Sequence, residues 1–95
     1  MMRGETHLGT LTLDYIDQPW FYCHFDATPE WEAVRPTLDA WTEATLARND
    51  PDELRIARAW QAVDALKLTL VPIHGGERVD EFLIHVEDDE ARFRY

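Results

Sequence analysis

The chain has 95 residues, 45% of them hydrophobic, with a net charge of −10 and one cysteine. That length fits one domain, read here as 1–95, with a core that needs no staple, and a lone cysteine excludes an intrachain disulfide and leans toward a reducing compartment. The acidity argues against nucleic acid, which demands a basic face, and leaves a protein partner or a simple solubilising surface.

Residues 1–6 read as a frayed leader. The amino terminus has no apolar h-region, and no apolar run approaches the ~20 residues of a membrane span, so the expectation is a cytoplasmic protein with no membrane contact. Residues 8–15 alternate apolar and polar, with Leu11, Leu13 and Tyr15 on one face and Thr10, Thr12 and Asp14 on the other. After a turn at 16–19, the aromatic-rich run 20–25 makes the second strand of a hairpin.

Residues 28–66 read as two helices joined at Arg48-Asn49-Asp50. Trp31, Val34, Leu38, Trp41 and Thr45 recur at helical spacing, as do Ile56, Trp60, Val63 and Leu66. Thr28 suits the N-cap and Pro29 the first helical position. Pro36 cannot donate to the carbonyl of Glu32, so the spacing predicts either a kinked helix or a short helical turn feeding a helix that begins at Pro36. The second helix opens on Asp50-Pro51-Asp52-Glu53, an N-cap carboxylate followed by proline and an acid that can reach back. Trp60, between Ile56 and Val63 at helical spacing, reads as a core anchor.

The chain then alternates over 67–71, loops through Gly75-Gly76, and alternates again over 79–87 and 91–95 around a turn at 88–90. The order ββααβββ implies an α+β two-layer sandwich, a mostly antiparallel five-stranded sheet with both helices on one face. The most apolar side of each strand should meet the helices: Leu11, Leu13, Tyr15; Phe21, Cys23, Phe25; Leu68, Leu70; Phe82, Ile84, Val86; Phe93, Tyr95. Cys23 is then a small core hydrophobe. The opposite side carries Thr10, Thr12, Asp14, Trp20, Tyr22, His24, Thr69, Val71, Leu83, His85, Arg92 and Arg94. A tryptophan, a tyrosine and a leucine together on a solvent face are the oddity of this chain. The candidate binding residues are therefore Asp14, Trp20, Tyr22, His24, Leu83, His85, Arg92 and Arg94.

Catalytic constellations fail on chemistry. Serine is absent, which removes every serine nucleophile. Cys23 and His24 are strand neighbours and point to opposite faces, so they make no nucleophile–base pair. His74-Gly75-Gly76 superficially resembles an oxyanion loop but has no serine to serve. Asp14, His24 and His85 share a face without the tight spacing of a metal site, and no metal or other cofactor is expected. The sequence thus favours a small acidic non-enzymatic interaction protein that binds a protein partner, or itself as a homodimer, through the open aromatic face. A small-ligand or regulatory domain using the same face is the alternative. An enzyme with His24 or His85 as general base comes third, for want of a partner constellation. His24 and His85 are expected to be the groups on that face that change charge between pH 5 and 8.

Overall fold

Seven strands and two helices follow one another in the computed structural model, which describes residues 1–46 and 52–95. In chain order they are β1 (Met2–Arg3), β2 (Thr6–His7), β3 (Gly9–Asp17), β4 (Trp20–Ala27), α1 (Arg35–Leu46), α2 (Glu53–Ala65), β5 (Leu68–Thr69), β6 (Leu83–Glu87) and β7 (Glu90–Arg94). The fold is α+β with antiparallel sheets, but there are two sheets and not one of five strands. The larger runs β3-β4-β7-β6 and the smaller runs β2-β1-β5.

The smaller sheet overturns the expectation of a frayed leader. Met2 pairs with both His7 and Thr69, and Arg3 with both Thr6 and Leu68, so β1 is the central strand. The Met1 side chain is buried. Its ammonium donates to the carbonyl of Gly9 at 2.6 Å, and burial lowers its pKa. Strand β5 is drawn to β1 and so leaves the main sheet. The predicted strand over 79–87 is shorter than its alternation suggests. Val79 makes a lone bridge to Leu70, and regular pairing begins only at Leu83.

A bulge in β3 changes which side chains share a face. Leu13 lies opposite Cys23, but the next pair is Tyr15 with Tyr22, leaving Asp14 as the extra residue. Tyr15 therefore parts from Leu11 and Leu13 and stacks on Tyr22, ring centroids 4.6 Å apart. Ile16 swings to the side of Phe21. The strand continues through Asp17, so the turn shrinks to Gln18–Pro19, joined by a cis peptide bond. At the other hairpin, Asp88 takes the left-handed backbone that the tight β6–β7 turn requires.

Pro36 resolves as a short helical turn feeding a helix. A 3-10 turn over Pro29–Ala33 precedes α1, where Pro36 is the second residue and its missing N–H falls among donors that lack partners anyway. Thr28 precedes the 3-10 turn, but its hydroxyl donates to the carbonyl of His7 at 2.6 Å and does not cap. Helix α2 is capped by Asp52, which accepts from the amides of Leu54 at 3.0 Å and Arg55 at 3.2 Å. The expected cap at Asp50-Pro51 and the joint at Arg48-Asn49-Asp50 lie outside the described residues.

Trp31, Val34, Leu38 and Trp41 are buried as their spacing requires, with Thr45 partly so. Yet the helices do not spread over one face. Helix α1 packs against α2 and against β6, the outer strand of the large sheet. The indole of Trp41 donates to the carbonyl of Ile84 at 2.9 Å. The core gathers around this junction. Phe25, Ile84, Val86 and Ala91 from the sheet join Val63 from α2, Leu68, Met1 and Leu8. Leu13 and Tyr95, expected in that core, are instead 53% and 75% exposed. The helical layer stands beside β6 and leaves the β3 side of the sheet uncovered.

Candidate functional site

Trp20 is the centre of the site. It opens β4 and is half-buried. Arg92 and Arg94 stand two residues apart on β7 and therefore share a face. Their guanidinium carbons lie 5.6 and 5.9 Å from the Trp20 ring centroid, within cation–π range. Tyr22 pairs with Arg92 across β4 and β7, and Leu83 pairs with Arg94 across β6 and β7. The Tyr15–Tyr22 stack continues the aromatic surface toward β3. Among the described residues, no carboxylate lies within ion-pair distance of Arg92 or Arg94, whereas Arg35, Lys67 and Arg78 each have an acidic partner.

Five of the eight candidates thus converge: Trp20, Tyr22, Leu83, Arg92 and Arg94. His24 shares the face but lies toward its other end, opposite Glu90, with Asp26 at 3.2 Å and Asp89 at 4.0 Å. Asp14 is the exposed bulge residue on the edge strand and belongs to neither group. Its charge reaches Cys23, whose thiol is pushed up first by burial and then by Asp14, against nucleophilic use.

His85 is the main correction to the expected open face. It is only 6% exposed. The Trp41 ring stacks on it at 5.3 Å and 6°, Trp20 leans on it at 5.8 Å, and Thr42 Oγ1 sits 3.2 Å from Nδ1. Burial, and then the Arg92 guanidinium, lower its pKa to about 4. A neutral, enclosed imidazole at ordinary pH is a wall and not a switch between pH 5 and 8. It joins the core to the site, because Trp60 packs on Trp41 at 5.1 Å and Trp41 on His85. Alternation had assigned His85 correctly to the Trp20 side. It could not say that α1 would wrap the edge and cover it.

The other side of the sheet holds a cleft that sequence reasoning had filled with helices. Its floor is Leu11, Leu13, Phe21 and Phe93, and its opposite wall is the segment 70–73; the volume is about 920 Å³. Phe21 stacks on Phe93 at 5.1 Å and on Tyr95 at 5.6 Å. Val71 and Ile73 line it and are 53% and 77% exposed, and Ile16, opposite Phe21 on the same side of the sheet, is 49% exposed. The signal was present as apolar alternation, but alternation cannot tell a covered face from an uncovered one.

Among the described residues, no group of three or more histidine, cysteine, aspartate or glutamate side chains could hold a metal ion, and no helix is long and apolar enough to cross a membrane. Comparison with known protein families, with curated proteins and with solved structures gives no match. The arrangement is an aromatic surface bordered by two guanidinium groups, whose planar fork is the geometry that holds a carboxylate in bidentate fashion.

Proposed function

We propose that this chain is a non-enzymatic interaction module that recognises a carboxylate-bearing segment of another protein through Trp20, Tyr22, Arg92 and Arg94. One observation carries the reading. In a chain of net charge −10, two arginines are held over one tryptophan with no acidic partner at ion-pair distance among the described residues. Their charge is available to a visitor, and the indole supplies a rigid apolar contact at little entropic cost. Tryptophan, tyrosine and arginine are the usual anchors of interfaces. The packed row Trp60, Trp41 and His85 behind Trp20 fixes the ring before binding, which lowers the cost of ordering it.

The test is a panel of immobilised peptides of acidic, neutral and basic composition, probed with the wild-type chain and with an Arg92→Ala, Arg94→Ala double variant. Acidic peptides should be retained selectively, with an affinity that falls as salt is raised. The double variant should bind at least ~10-fold more weakly, equivalent to ~1.4 kcal/mol. Equal retention of all three classes, or undiminished binding by the variant, would remove this reading. Competition by free glutamate at low concentration would favour a small carboxylate ligand on the same residues.

A further inference from the structure

We infer that two copies of this chain associate through the open edge of the large sheet, pairing β3 with its twin. The two edges of the large sheet are unlike. At β6 the Trp41 indole takes the Ile84 carbonyl and α1 lies alongside. At β3, among the described residues, the Met1 ammonium occupies the Gly9 carbonyl, but no strand pairs with the outer edge. A nine-residue strand with an uncovered edge presents a row of unpaired N–H and C=O groups, a template for another strand.

The side chains agree. Leu13, Ile16, Val71, Ile73 and Tyr95 are 53%, 49%, 53%, 77% and 75% exposed. Of these, Leu13 and Ile16 stand on β3 itself, beside the row that a second strand would take up. The chain has 19 acidic residues, yet among the described residues Glu77 is the only Asp, Glu, Lys or Arg side chain lining the cleft beside β3. Depletion of charge marks the centre of an interface. A small apolar ligand could fill the cleft but would leave the backbone row unpaired; only a strand takes up that row.

Why the strand belongs to a second copy follows from symmetry. A two-fold axis brings β3 against itself antiparallel, the arrangement every strand pair among the described residues already uses. With the axis beside Leu13, Asp14 faces Thr12; with the axis beside Tyr15, it faces Ile16. In neither register does Asp14 meet its twin. The capped β6 edge cannot accept another strand, so growth stops at two copies.

Sedimentation equilibrium of the full chain from micromolar to millimolar concentration tests this. The wild type should show a species at twice 11.1 kDa. A Leu13→Lys, Ile16→Lys double variant should keep its circular dichroism and weaken association at least ~10-fold. Arg92→Ala, Arg94→Ala should leave the dimer intact, so this inference and the carboxylate reading fail separately. Hydrogen exchange of the wild type provides a readout without substitution: amides within residues 11–17 should gain protection on concentration. A monomer throughout the range, a dimer indifferent to the lysines, or a dimer without protection in β3 would overturn it.

Discussion

His85 titrates against its surroundings. Its pKa is lowered from 6.5 to about 4 in the folded chain, so the unfolded chain binds the proton more readily. The stability it contributes is therefore fully present above about pH 6.5 and is lost as pH falls from there toward 4. The shift corresponds to at most ~3 kcal/mol. The expected outcome in urea unfolding is a fall in stability across that window and a flatter profile in His85→Gln. That variant loses packing against Trp41, so the slope with pH, and not the absolute stability, is the readout. An equal slope in both proteins would place the pH dependence on other groups. Only near pH 4 does the charge also appear beside Arg92 in the folded chain, adding repulsion to that arginine.

At the scale of elements, the junction of α1 with β6 holds the layers together. The spacing of Trp31, Val34, Leu38 and Trp41 puts an apolar stripe on α1, but one hydrogen bond fixes where that stripe lands. The Ile84 carbonyl faces outward on an edge strand that is buried, and the Trp41 indole satisfies it. Trp41→Phe keeps most of the ring area and deletes the donor. It should cost about 1–3 kcal/mol, the penalty of a buried acceptor left unmade. Thermal or denaturant unfolding checks this; a loss below about 0.5 kcal/mol, the scale of a surface change, would mean that water replaces the indole. Trp60 packs on Trp41 but is only half-buried, so it supports this junction from outside and is not the central anchor its spacing suggested.

For the whole molecule, the small sheet closes the chain on itself. Strand β1 pairs with β2 on one side and with β5 on the other, joining the amino terminus to the segment that follows α2. Arg3→Pro would remove a backbone donor from this central strand, where proline is not tolerated. Losing ladder bonds at ~1 kcal/mol each and loosening buried Met1, worth ~2 kcal/mol, should lower stability by at least about 2 kcal/mol. Hydrogen exchange at Leu68 and Thr69 should rise with it. Unchanged protection there would show that β5 holds without β1. The large sheet is asymmetric in turn, with its β6 edge capped by Trp41 and its β3 edge without a paired strand among the described residues.

The sequence by itself determined the α+β class, the two helices, the buried stripe of α1, and the alternation that gathers Trp20, Tyr22, Leu83, Arg92 and Arg94 on one face. Those are local properties: hydrophobic period, turn residues and proline position act within a few neighbours. Tertiary structure decided the rest. The bulge at Asp14 moved Tyr15 to the other face, because one inserted residue reverses every later side chain. The placement of α1 beside β6 enclosed His85 and left Leu13 and Tyr95 outside, because alternation names the two sides of a strand and is silent on what covers them. Met2 and Arg3 became a central strand because partners at His7 and Thr69 were waiting for them, and two residues are too few to announce a period.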